Sequence, residues 1–230
     1  ASLRGSGDRL HRRGYRRKTG GAPINEVLAA GLLLLAGYDG EVPFVDPMCG
    51  SGTIVVEAAM IAAHQAPGLH RKFGFERWPD FDIELWSSIR QEALDARRKP
   101  PHTILGSDIE ELTVSLAKVS LDRTGLLHHV QFETQPFDLL QAPPIQDEEA
   151  GAMLVTNPPY EMRLTTGNIE AFYQMIGDTL KQQWKGYSAW IITGSPAGLK
   201  SVGLKTSRRI ALMNGPLEVR FVRYDLYDGS

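Results

Sequence analysis

An α/β fold built on a mostly parallel sheet and closed by an antiparallel hairpin is what this chain predicts, on three observations. Apolar, strand-like runs alternate with helical stretches along most of the 230 residues, an order that argues for parallel strands covered on both faces. That length and a hydrophobic fraction of 42% support one sizeable core. Near the end, Asn214-Gly215 separates two alternating runs, Ser207 to Met213 and Leu217 to Tyr227, which is a hairpin signal.

The chain opens on a basic arm, with Arg4, Arg9, Arg12, Arg13, Arg16, Arg17 and Lys18 set against Asp8. A helix is expected from Pro23 to Ala36, with Pro near its first turn and Gly37 as its stop. Its nearly all-round apolarity predicts burial against the sheet. The apolar run is too short to span a bilayer, and no cleavage pattern follows it. Residues 1–38 are therefore read as arm and packing helix, and 39–230 as one α/β domain.

Within that domain, strand Val42–Asp46 leads to helix Thr53–Gln65, and strand Thr103–Asp108 to helix Glu110–Thr124. A short strand at Val130–Glu133 follows. Strand Ala152–Thr156 then leads to helix Ile169–Trp184, and Ser188–Thr193 is a strand rich in β-branched residues. Residues 66–101 break the alternation and read as an insertion, helical over Phe81–Arg98. This stretch is either a substrate wall or a packing flap whose tryptophans are core. Pro143-Pro144 and the acidic Asp147-Glu148-Glu149 read as a solvated loop.

Composition narrows the function classes. A net charge of -2 gives no global attraction to nucleic acid, so any such contact must be local. The single cysteine, Cys49, excludes an internal disulfide and a multi-cysteine metal site and fits a reducing cytoplasm. Cys49 is read as a packed thiol. The histidines show no ligand spacing, and His128-His129 reads as a loop edge, so no metal is expected.

Two motifs carry chemistry. The apolar run Ala152 to Val155 ends, after Thr156, in Asn157-Pro158-Pro159-Tyr160. Two prolines fix φ and carry no N–H, so the backbone stays open and its carbonyls free. The Asn amide oxygen and a neighbouring carbonyl can accept both hydrogens of one planar amino group. The Tyr ring offers a face for stacking a base. By itself the run also reads as a proline-rich turn. Upstream, Phe44-Val45-Asp46-Pro47-Met48-Cys49-Gly50-Ser51-Gly52-Thr53 passes from a strand through a glycine turn into a helix. Gly50 and Gly52 permit a sharp bend and close ligand approach, with helix N–H groups behind them. Val55 stands where a third dinucleotide-type glycine would fall, which argues against pyrophosphate binding.

An acidic strand end followed by a glycine turn resembles the S-adenosylmethionine (SAM) loop of class I methyltransferases. Such enzymes have a Rossmann-like, seven-stranded, mostly parallel sheet with an antiparallel C-terminal hairpin strand. Leu10-His11-Arg12-Arg13-Gly14-Tyr15-Arg16, the Asp46–Thr53 loop, Gly106-Ser107-Asp108-Ile109, the Asn-Pro-Pro-Tyr tip and Asn214-Gly215-Pro216-Leu217-Glu218 sharpen the likeness. Together they resemble the bacterial 23S ribosomal RNA guanine-N2 methyltransferases, the RlmL-like group earlier described as N6-adenine-specific DNA methylases. Members of that group usually carry an N-terminal RNA-binding THUMP domain, and no segment here resembles one.

The resemblance implies SAM as cofactor, no metal, a ribosomal RNA partner and a cytoplasmic location. Asp46, Pro47, Gly50, Gly52 and Thr53 would hold the methionine end. Asp108 with Ile109 would meet the ribose, although Asp108 is equally placed to cap the next helix. Asp138, after the third strand, would accept from the adenine amino group, or else form a turn. Asn157, Pro158 and Tyr160 would form the base pocket, with Asn157 also near the cofactor, and the stretch around Pro23-Ile24 would help close over SAM. Arg12, Arg13, Arg16, Arg17 and Lys18 would meet the RNA backbone; otherwise they are a charged tail.

The reaction expected is methyl transfer to an exocyclic amine, which needs orientation more than a strong base. Adenine N6 in DNA and a glutamine amide are planar amines that suit the same seat. A non-catalytic RNA-binding module is the alternative of a different class.

Overall fold

The computed structural model describes residues 5–7, 10, 13–16, 24–69, 71–145, 147–159 and 169–227. Seven strands form one sheet: β1 (Phe44–Asp46), β2 (Ile104–Asp108), β3 (Gln131–Thr134), β4 (Ala152–Thr156), β5 (Tyr187–Thr193), β6 (Arg208–Asn214) and β7 (Leu217–Asp225). Their order is β3-β2-β1-β4-β5-β7-β6. The first five strands pair in parallel, and β7 lies antiparallel between β5 and β6. The mixed seven-stranded sheet with its antiparallel hairpin is the fold that the sequence predicts.

Among the described residues, six α-helices accompany the sheet: α1 (Glu26–Ala36), α2 (Thr53–Ala62), α3 (Ile83–Asp95), α4 (Glu111–Asp122), α5 (Ile169–Gln183) and α6 (Pro196–Ser201). Two apolar clusters result. One joins α1 and α2 to residues of β1, β5 and β7, where Trp190 and Phe221 stack at 4.5 Å. The other joins α5 to β4, β5 and β7 around Tyr173, Trp184 and Tyr224. Strands β4 and β5 are buried almost throughout, which is why they read as continuous apolar runs rather than alternating ones.

Departures from expectation have local causes. The β1 ladder begins at Phe44 and not Val42, because Pro43 has no N–H to donate, although its carbonyl still accepts from Met153 N at 2.9 Å. α1 starts at Glu26, with the Asn25 side chain accepting from Leu28 N at 2.8 Å. Its apolarity does not mean burial all round: Ala29, Leu32 and Leu33 are covered, whereas Leu34 is 67% exposed. The hairpin turns one residue later than expected. Asn214 pairs with Leu217, so Gly215 (φ 62°) and Pro216 make the loop, a positive-φ residue followed by one fixed near −65°. α6 is unforeseen, although Ser195-Pro196 is a start signal, with Ser195 Oγ accepting from Gly198 N at 3.1 Å.

In the insertion, α3 has no buried residue, and Trp78 is 40% exposed. Phe73, Phe75, Phe81 and Trp86 pack among themselves with ring centroids 5.0–6.0 Å apart. The tryptophans of the insertion lie outside the two apolar clusters of the core, and Trp86 belongs to this local aromatic group.

Candidate active site

The parallel strands bring the two motifs to one end of the sheet, because β1 and β4 are neighbours and both end there. The tip of β1 is Asp46, only 1% exposed. One of its oxygens, Oδ1, accepts the Thr156 hydroxyl at 2.8 Å and Met48 N at 3.3 Å. Thr156 is the last residue of β4, so a buried hydrogen bond ties the first motif to the second. Burial pushes the Asp46 carboxyl up to about 7, against the lowering effect of these two donors, and Asp108 adds to the rise.

The glycine turn is pinned from the other side. Gly50 N donates to Asp108 Oδ2 at 2.8 Å, and Cys49 N donates to the Ser107 carbonyl at 2.8 Å, so the loop hangs on the tip of β2. Asp108 Oδ1 accepts Glu110 N at 3.0 Å, a tight turn into α4 rather than the helix cap itself, which falls at Glu110. Both carboxylate oxygens keep further acceptor capacity. Ile109 beside it is 68% exposed, and Pro47 and Thr53 are buried.

Gly50 and Gly52 do different work. Both have positive φ, 51° and 80°. A Cβ on Gly50 would meet nothing within 4 Å, so this glycine borders open space. A Cβ on Gly52 would lie 2.6 Å from the Ala117 Cβ of α4. The expectation that a side chain at Gly52 intrudes on a ligand is corrected: it would strike α4, so Gly52 serves helix packing. Cys49 is a buried thiol whose pKa burial raises well above the ordinary value, in keeping with a packing role.

Asp138 falls in a short helical turn (Phe137–Leu139) after β3, exposed, its carbonyl accepting Gln183 Nε2 at 3.0 Å. Asn157 and Pro159 are half-buried and Pro158 is buried at the β4 tip. Tyr160, Pro23, Arg12, Arg17 and Lys18 lie outside the described residues.

Two arginines expected at the RNA backbone, Arg13 and Arg16, make contacts within the domain. Arg13 Nε lies 2.8 Å from Glu57 Oε1 in α2, with side chains 11% and 3% exposed. Tyr15 Oη donates to the same oxygen at 2.8 Å. Arg16 Nη1 reaches the Ile24 carbonyl at 3.4 Å and Glu26 at 4.0 Å. These guanidinium groups answer buried carboxylates, an internal use that a bare count of basic residues cannot distinguish from a phosphate-binding arm. Burial raises the Glu57 carboxyl to about 7, while Arg13 and Tyr15 hold it down. Among the described residues, no helix is long and apolar enough to cross a membrane, and no cluster of three or more His, Cys, Asp or Glu side chains is arranged to hold a metal ion.

The seven-stranded order with an acidic strand tip, a glycine turn and an Asn-Pro-Pro tip on adjacent strands defines a methyltransferase-type α/β domain. The chain belongs to the family described as RMKL-like, methyltransferase domain, which it matches over residues 13–223. It is 39% identical over 231 residues to a candidate RNA methyltransferase of Synechocystis, covering 98% of this chain and 58% of that protein. It is 38% identical to the ribosomal RNA large subunit methyltransferase K/L of Syntrophotalea carbinolica, covering 98% of this chain and 33% of that one. Among solved structures, SMU.472, a candidate methyltransferase complexed with SAH, superposes with a TM-score of 0.88 at 32% identity, covering 96% of this chain and 57% of that one. The chain thus spans between a third and about three-fifths of the length of these relatives.

Proposed function

We propose that this domain binds SAM and transfers its methyl group to the exocyclic amine of a ribosomal RNA base, guanine N2, in the cytoplasm. The observation that carries the reading is the meeting of a SAM-type glycine turn and an amine-accepting Asn-Pro-Pro tip on neighbouring strands of a domain in this family. The names of the K/L relatives support the substrate, and the SAH held by SMU.472 supports the cofactor.

The residues present fit the cofactor. Gly50 borders space that a Cβ would enter, and Asp46, Asp108 and Asp138 place three carboxylates at the same end of the sheet. SAM supplies an electrophilic methyl on a cationic sulfonium. In this reading Asp46 and the turn from Pro47 to Thr53 hold its methionine end, and Asp108 with Ile109 holds the ribose. Asp138 accepts from the adenine amino group.

The guanine amine is a weak nucleophile because its lone pair is delocalised. Asn157, through its amide oxygen, and Pro158, through its carbonyl, accept the two amine hydrogens and orient that lone pair toward the methyl. Tyr160 stacks on the base, and Arg12, Arg17 and Lys18 meet phosphates. A further RNA-binding domain such as THUMP is the expected partner of this one. The experiment incubates the chain with labelled SAM and ribosomal RNA from cells lacking the enzyme, followed by nucleoside analysis. N2-methylguanosine is the expected product. N6-methyladenosine as the labelled nucleoside would instead make adenine N6 the acceptor.

A further inference from the structure

Thr156 is used by none of the roles assigned above, yet its side chain makes a buried bond that links the two motifs. We propose that Thr156 is a positioning residue: its hydroxyl fixes the Asp46 carboxylate and so couples the cofactor seat on β1 to the amine seat on β4. This rests on the SAM reading of the cleft.

Both partners are 1% exposed, and the bond is 2.8 Å between residues 110 positions apart in the chain. A buried carboxylate is ordinarily matched by a cation, as Glu57 is by Arg13. Asp46 is matched instead by two neutral donors, the Thr156 hydroxyl and Met48 N. The charged neighbour that bears on it is another carboxylate, Asp108, across the glycine turn, and the thiol facing both is Cys49. Neutral donors orient a carboxylate without cancelling its charge. The site therefore keeps a directed negative charge for a cationic ligand group, which the methionine end of SAM supplies through its ammonium and sulfonium.

The donor is well chosen for stiffness. Thr is β-branched and restricted at χ1, and β4 is buried along its whole length, so the hydroxyl has little freedom to wander. The next residue is Asn157. A shift of the Asp46–Thr156 pair therefore moves the amine seat as well, and an ill-placed cofactor misaligns the target without any contact to it being lost.

The test compares Thr156→Val, which keeps the shape and removes the donor, with Thr156→Ser, which keeps the donor. SAM affinity is measured by calorimetry across pH 5.5–8.5, with kcat and KM for methyl transfer alongside. Thr156→Val should weaken SAM binding on the order of tenfold. It should also move the pH midpoint of binding upward, because the carboxyl loses a donor that favours its charged form. Thr156→Ser should restore both. In an Asp46→Asn background the Val substitution should add no further loss in affinity. If Thr156→Val does not fold, Thr156→Cys, of similar size and a weaker donor, takes its place in the same cycle. A lower melting temperature with unchanged affinity and pH midpoint would make the bond merely structural and overturn the proposal. So would fully additive losses in the cycle. A parent protein that binds no SAM at all would reject the underlying reading together with it.

Discussion

Two buried carboxylates, one in β1 and one in the helix that follows it, are treated by the fold in opposite ways. Asp46 and Glu57 are 1% and 2% exposed, and burial raises both to about 7. Glu57 has a guanidinium and a phenol on the same oxygen, each at 2.8 Å, and lies behind the glycine turn. Among the described residues, the hydrogen-bond donors to Asp46 are neutral, and it stands at the strand tip. The difference separates anchoring from function. A charge neutralised internally holds the 13–16 segment on α2, whereas one left uncancelled at the end of the sheet is available to a cationic ligand.

Removing one partner of the anchor should have the largest effect. Glu57→Ala leaves Arg13 covered and unpaired, at a cost of roughly 3–5 kcal/mol. For a domain of this size that corresponds to a fall in Tm of roughly 6–20 °C, read by thermal unfolding. SAM affinity of the folded fraction should be retained. A small fall in Tm would show that the segment is held by packing and not by charge.

Asp46→Asn should do the reverse, sparing Tm and weakening SAM binding by about tenfold or more. Its pH behaviour follows from the sign of the shift. Both carboxyls are raised above their unfolded values near 4, so the native state binds more protons than the unfolded chain between about pH 4 and 7. The stability they contribute is present below pH 4 and lost as pH rises through 7. A cation bound beside Asp46 lowers its pKa again, so SAM binding near pH 6.5 should release a proton and near pH 8.5 should not. Calorimetry in buffers of different ionisation enthalpy measures this, and equal proton release at both pH values would remove Asp46 from the site.

The smallest expected effect is at Gly50. Gly50→Ala adds a Cβ facing open space at φ 51°, so it should cost about 1–2 kcal/mol in backbone strain and reduce SAM affinity. Gly52→Ala, with α4 2.6 Å away, should instead cost stability first. Denaturant midpoints and SAM titrations of the pair separate the two. Equal profiles would undo the distinction between the glycines.

Much of this was legible in the sequence. Alternating strands and helices gave the parallel sheet, and the spacing of the Asp46–Thr53 turn and the Asn-Pro-Pro tip located the cleft, because parallel strands all end on one side. The link through Thr156 was not legible, since adjacency of β1 and β4 depends on strand order and not on chain order. Arg13 and Arg16 read as a free basic arm because Glu57 and Glu26 lie in helices otherwise apolar, and their pairing is a tertiary fact. Gly50 and Gly52 were indistinguishable until α4 was packed against one of them. Ser195-Pro196 carries the start signal for α6, but its six residues are too few for a helical periodicity to show.

Whether the tip of β4 seats the amine that receives the methyl group is decided by Asn157→Ala beside the parent. SAM affinity and methyl transfer to ribosomal RNA are measured on the same preparations. Near-parental SAM affinity with turnover reduced on the order of a hundredfold or more is the expected result. Parental turnover to the same nucleoside would contradict it.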